Sequence, residues 1–248
     1  MLQHTFIHLP NHGSVRERAL WEDGVKTWED FLIKYADTPS HKQLCKIIAS
    51  SNYALKVGDA NHFAMALPSN ESWRVFPHFT DVAYLDIETT GLGNRADHIT
   101  VIGVYDGKKV RSYIYGQNLG DFAKDIQDYD LLVTFNGSQF DLPFIRNGIK
   151  NIRLPKLHID LRFLLASLEM TGGLKKIEQK FGMEREIDLR GLNGYDAVKL
   201  WLKYVRNKDK VALDKLVRYN AADISNLKGL MEWAYNEKRK RTGFDAIP

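Results

Sequence analysis

The segment Tyr84-Leu85-Asp86-Ile87-Glu88-Thr89-Thr90-Gly91-Leu92 places two carboxylates in an otherwise apolar run, and few folds accommodate that. Val82, Tyr84, Leu85 and Ile87 give the run its strand character until Thr-Thr-Gly-Leu-Gly brings turn chemistry. Asp86 and Glu88 are two positions apart, so on a strand they project from one face. An unpaired charge there is costly to bury. Either the strand is an edge with both acids in water, or a counter-charge meets them. Hard oxygen ligands suit Mg²⁺ or Mn²⁺. The metal becomes the better account only if further carboxylates fold back to the same point.

The 248 residues suit one large domain, or a domain with an appendage, with a sizeable core. Hydrophobic residues at 44% and charged residues at 27% exclude a disordered composition. A single cysteine, Cys45, precludes an internal disulfide, and no Cys/His spacing resembles a zinc site; both fit a reducing cytoplasm. The sequence shows neither a signal-peptide pattern at its start nor an apolar stretch of membrane-spanning length, so no membrane is expected. A formal net charge of +4 permits a polyanionic partner without requiring one.

Residues 1–78 read as a small helical N-terminal arm. Ser14 with Glu17 has the spacing of a capping box for a helix over 14–22, and Gly24 ends it. Thr27 caps a second helix carrying Trp28, Phe31, Leu32 and Tyr35; Pro39 breaks that pattern. A third begins near Ser40 and a short fourth covers 59–67. These stripes face a core. The arm's histidines, His4, His8, His12, His41 and His62, lack metal-ligand spacing.

Residues 79–248 form the main domain. Strands are expected at the carboxylate segment, 98–105 and 109–115, with Asp106-Gly107 as a hairpin turn. A short helix over 119–126, a buried strand over 131–135, a helix over 141–147 and a strand over 157–161 follow. Helices then occupy 161–170, 174–181, 196–204 and 208–238. Three antiparallel strands followed by alternating helices and strands give an α/β fold, a mixed sheet with helices on its faces. The basic run Lys238 to Arg241 reads first as a solvated helix end, with contact to a phosphate backbone as the lesser alternative.

Two more acidic stretches complete the candidate set. Asn136-Gly137-Ser138-Gln139-Phe140-Asp141 directly follows the apolar strand, and open α/β sheets gather ligands beyond their strands' carboxyl ends. The same stretch also reads as a turn with Asp141 favoured by a helix dipole. In Tyr219-Asn220-Ala221-Ala222-Asp223, Tyr219 and Asp223 share a helix face across small residues.

Asp-Ile-Glu-Thr, Asn-x-x-x-Phe-Asp and Tyr-x-x-x-Asp, in that order, resemble the motifs of the DEDD exonuclease superfamily and its tyrosine-bearing (DEDDy) branch, with an RNase H-like fold. The histidine branch carries its base five residues before the last aspartate, where this chain has Arg218; Tyr219 fills the tyrosine slot. The arm, with Leu20-Trp21, Thr27 to Leu32 and Trp73-Arg74, is also similar to the stand-alone YprB-type RNase H-like group.

The resemblance implies that Asp86, Glu88, Asp141 and Asp223 hold two divalent cations, Mg²⁺ or Mn²⁺, with Tyr219 orienting the attacking water. In two-metal phosphoryl chemistry the ions lie about 3.5–4 Å apart, one activating water and one stabilising the leaving oxygen. It also points to Thr89, Thr90 and Leu92 beside a terminal nucleotide, with Asn136 and Phe140 lining the same cleft. The implied activity is 3′ to 5′ exonucleolytic hydrolysis of single-stranded nucleic acid, with DNA only weakly favoured over RNA. An RNA-trimming or structure-specific nuclease and a catalytically silent binding module stay open. So does a homo-oligomer packed through the arm's exposed helical face.

Overall fold

In the computed structural model, which describes residues 1–91 and 97–244, one five-stranded sheet organises the chain. Its strands are β1 (Val82–Thr89), β2 (Ile99–Tyr105), β3 (Val110–Ile114), β4 (Leu131–Thr134) and β5 (Leu157–Asp160). They lie in the order β3-β2-β1-β4-β5. β1 pairs antiparallel with β2, and β2 with β3; β1 runs parallel to β4, and β4 to β5. The sheet is therefore mixed, as the strand pattern predicts.

Ten helices surround it among the described residues: α1 (Ser14–Glu22), α2 (Trp28–Tyr35), α3 (Lys42–Val57), α4 (Ala60–Ala66), α5 (Phe122–Asp125), α6 (Asp141–Gly148), α7 (Leu161–Ala166), α8 (Leu174–Lys180), α9 (Gly194–Asn207) and α10 (Lys210–Thr242). β1 is central, so both its faces are covered and its residues are buried almost throughout. Ala83, Leu85 and Ile87 join a core with Leu142 and Ile145 of α6. Val82 and Tyr84 face the opposite way, into a core shared with Leu227, Leu230 and Met231 of α10 and with Phe6, Trp28, Phe31 and Trp73 of the N-terminal segment. By strand alternation, Asp86 and Glu88 project on this second side.

Two local expectations need adjustment. Gly13, not Ser14, occupies the cap of α1, and Glu17 is buried instead of closing a capping box. Its carboxylate accepts from the Phe6 and Ile7 amides at 2.7 and 3.2 Å and pairs with Arg74 at 2.8 Å. Tertiary partners 10 and more residues distant outcompete the local cap. At Thr27 a capping box does form, with Asp30.

Helix α10 is 33 residues long, about 50 Å. Leu216, Tyr219, Asn220, Asp223, Leu227 and Leu230 recur at three- and four-residue intervals along its buried face. Gly103 of β2 lets that face approach the sheet, since a Cβ there would stand 2.0 Å from the Asn220 side-chain oxygen. Gly103 pairs across the ladder with Asp86, so the gap opens beside the first acid.

Candidate active site

Three chain segments far apart in sequence converge at the carboxyl end of β1. Carboxylate oxygens of Asp86, Glu88 and Asp223 all lie within 4.8 Å of one another. Asp141, the first residue of α6, is buried beside them and accepts from the Ile87 amide at 3.0 Å. That amide lies between the first two acids in sequence. The ladder slips by one residue between Glu88 and Thr89, ending regular pairing just after the second acid.

Burial raises the pKa of all four acids. At Asp86 the neighbouring charges of Asp141, Asp223 and Glu88 add to burial, while the Asn220 hydrogen bond opposes them. At Glu88 burial acts with Asp223 and Asp141 against Lys175 and Arg185. Asp141 is pushed up to about 7, chiefly by burial, in spite of the Ile87 hydrogen bond. Burial also lifts Asp223, against the pull of Arg185.

Tyr219 is buried on the same α10 face and packs with Val101, Leu189 and Trp201. Its hydroxyl accepts from Lys175 Nζ at 2.8 Å. Burial and the surrounding acids push its pKa above the ordinary phenol value, so the phenol keeps its proton. Lys175, from α8, is in turn lowered by burial.

Three neighbours went unassigned in the motif reading. Asn220 Nδ2 donates to the Asp86 carboxylate at 2.9 Å and to the Asp86 carbonyl at 3.3 Å. Arg185 donates to both Glu178 oxygens, at 2.6 to 2.9 Å, and to Asp223. Lys175 is the third. Asn220 sits inside the quoted tyrosine motif, and its three-residue spacing from Asp223 could have flagged it. Arg185 and Lys175 fall in charged stretches that read as solvated, and no spacing links them to the acids.

The site is over-supplied with negative charge. Among the described residues, Asp86, Glu88, Asp141, Asp223 and Glu178 face Arg185 and Lys175, five acids against two cations. Convergent buried carboxylate oxygens of this kind fit hard divalent cations. Two buried atoms at the site, Arg185 Nη1 and Asn220 Oδ1, also have no hydrogen-bond partner.

The predicted substrate-side residues are arranged less uniformly. Thr89 donates its hydroxyl to the Gly91 carbonyl at 2.5 Å. The Thr90 amide donates to the His98 carbonyl at 3.0 Å and its hydroxyl accepts from the His98 amide at 3.0 Å, so both groups serve the hairpin. Leu92 lies outside the described residues. Asn136 has a positive φ of 68°, and its side-chain oxygen accepts from Arg162 at 2.6 Å. Phe140 is half-buried, 5.5 Å from the Phe144 ring. Asp160, outside the four-acid set, accepts from the Asn136 and Ser138 amides at 2.8 and 3.0 Å and fixes the turn leading to Asp141.

Residues 83–235 match the RNase_H superfamily. Among solved structures, the chain is similar to the family B DNA polymerase from the hyperthermophilic archaeon Pyrobaculum calidifontis, at 16% identity and a TM-score of 0.48 over 61% of this chain and 24% of that one. It is also similar to Brucella melitensis NrnC with bound Mg²⁺, at 19% identity and a TM-score of 0.46 over 71% of this chain and 80% of that one. The same protein bound to pGG gives 20% identity and a TM-score of 0.46 over 71% and 79%. The chain thus spans about a quarter of the polymerase's length. No curated protein sequence matches it. No helix among the described residues is long and apolar enough to cross a membrane.

Proposed function

Because the chain belongs to the RNase_H superfamily, we propose that it is a metal-dependent 3′ to 5′ exonuclease of the tyrosine-bearing DEDD branch, releasing nucleoside monophosphates from single-stranded nucleic acid. DNA is the weakly favoured substrate, and the N-terminal arm is similar to that of the stand-alone YprB-type group. The observation that carries this reading is the convergence of Asp86, Glu88 and Asp223 within 4.8 Å, with Asp141 held by the Ile87 amide alongside. In this reading residues 1–78 are an arm and 79–248 the exonuclease domain.

Asp86, Glu88, Asp141 and Asp223 would hold two divalent cations, Mg²⁺ or Mn²⁺. Bound there, such ions supply a water nucleophile at neutral pH and neutralise charge on the leaving oxygen. The chain's own groups supply orientation. Asn220 fixes the Asp86 carboxylate and the Ile87 amide fixes Asp141. Tyr219, its oxygen accepting from Lys175, holds a water by hydrogen bonding and does not remove a proton. Thr89, Thr90, Asn136 and Phe140 would border the cleft where the terminal nucleotide lies, and Leu92, outside the described residues, is assigned there by the motif resemblance alone.

The test is release of mononucleotides from 3′-end-labelled and 5′-end-labelled single strands in Mg²⁺ or Mn²⁺. Asp86→Ala or Asp223→Ala should abolish it, and Tyr219→Phe should lower kcat by on the order of a hundredfold. Cutting of a circular single strand would point instead to an endonuclease. Tight binding without turnover in Mn²⁺ would leave only a binding module.

A further inference from the structure

A second concavity opens on the carboxyl edge of the sheet, at β5. It has a volume of about 440 Å³, within the range of small-molecule sites. Three separate segments build it: Ser69 and Asn70 from the N-terminal arm, Phe163 from α7, and Lys238 from α10. Ser138, in the turn that leads to Asp141, forms part of its lining. β5 is two strands from β1, which places the concavity about 10 Å from the acids along the sheet edge.

The lining chemistry selects for a nucleotide. Phe163 is 49% exposed, an unusual position for a ring that nothing covers. Lys238 Nζ stands 5.7 Å from the Trp73 ring and supplies a positive charge. The one acid in the lining, Asp160, is saturated by Asn136, Ser138 and Arg162 amides and the Ser138 hydroxyl, at 2.6 to 3.1 Å. These donors occupy its oxygens and fix it in place, while the carboxylate keeps its negative charge. His158 is neutral, its pKa lowered to about 4 by burial. The Thr134 hydroxyl accepts from the Gly137 amide at 3.1 Å and is hydrogen-bonded with His158 Nε2 at 2.8 Å.

We propose that this concavity is a subsite for an upstream nucleotide of the single strand whose 3′ end lies at the acids, with a base stacked on Phe163 and a phosphate near Lys238. The inference rests on the exonuclease reading and deepens it. It makes the N-terminal arm part of substrate selection, favouring strands long enough to reach from one site to the other. Base stacking on an aromatic ring is sequence-tolerant, so length and not sequence is what the subsite reads.

The full chain would be titrated with hexathymidylate and dithymidylate in EDTA and in Ca²⁺, and kcat/KM for both would be measured in Mn²⁺. Phe163→Ala and Lys238→Glu should each weaken hexamer binding and lower its kcat/KM by on the order of tenfold, leaving the dimer unchanged. Both side chains are partly exposed, so the variants fold. Equal loss on the two lengths, no loss on the hexamer, or no binding of either would overturn the subsite. Absence of hydrolysis with Phe163-dependent hexamer binding intact would overturn the exonuclease reading and leave the subsite standing.

Discussion

Replacing Arg185 by methionine isolates the guanidinium that, among the described residues, bridges the acid cluster to its surroundings. The side chain is 7% exposed, and its partners Glu178 and Asp223 are 2% and 10% exposed. Removing one member of a buried ion pair costs about 3–5 kcal/mol, mostly because a charge is left without its partner. Here two carboxylates lose their cation. Asn226 still donates to Glu178 at 2.9 Å, and burial already favours protonation of Asp223, so the lower end, about 3 kcal/mol, is expected in EDTA. Divalent ions then discriminate between two roles. If the guanidinium competes with the ion for Asp223, the variant binds the ion more tightly than the wild type does. Tenfold tighter binding would return about 1.4 kcal/mol of the deficit at saturation. Urea unfolding in EDTA and in Mn²⁺, with unchanged slopes, reads both numbers. The deficit should fall from about 3 to about 1.5 kcal/mol when Mn²⁺ is added. A deficit that stays constant or widens in Mn²⁺ would refute competition and make Arg185 a support for the bound ion.

Two further outcomes follow from the same geometry. Asp141 has a folded pKa of about 7 against an ordinary value near 3.9, so the stability it contributes is present at low pH and lost as pH rises through 7. In EDTA, Asp141→Asn should therefore gain on the wild type by about 2–3 kcal/mol between pH 5 and 7.5, measured by urea unfolding, and Mn²⁺ should erase the trend. The depressed histidines His8, His78 and His158 are common to both proteins and cancel. Gly103→Ala should cost about 1–3 kcal/mol in thermal unfolding, because its Cβ would meet Asn220 Oδ1 at 2.0 Å and Ile224 at 3.0 Å. Unchanged stability would show that α10 can shift from β2 without penalty.

Much of the fold was legible because each strand carries its own signal. The Val82–Thr89 run, the Asp106-Gly107 turn and the buried Leu131–Thr134 strand declare themselves within a few residues, and the mixed sheet follows from their order. The acids were legible for a related reason. A carboxylate inside an apolar strand or on the buried face of a helix contradicts its surroundings, and Asp86, Glu88 and Asp223 each do so. Glu17 shows where that reasoning stops. Its spacing from Ser14 satisfies a local rule, yet the chain spends it on amides and an arginine from distant segments.

Arg185 and Lys175 failed to appear for the converse reason. In sequence they sit among other charges, as solvated residues do, and only the fold turns them inward. A buried acid advertises itself against apolar neighbours, whereas the cation that answers it can come from any charged loop the topology brings near. The asymmetry has a physical basis: acids on rigid elements define where charge accumulates, and their counter-charges need only reach. The flexible stems of lysine and arginine allow that reach from α8 and the segment after it. Among the described residues the pair leaves five acids against two cations, so these side chains neutralise only part of the cluster. In the proposed reading that residue of negative charge draws a divalent ion to the carboxyl end of β1, and its size is what the Mn²⁺-dependent deficit of the Arg185 variant measures.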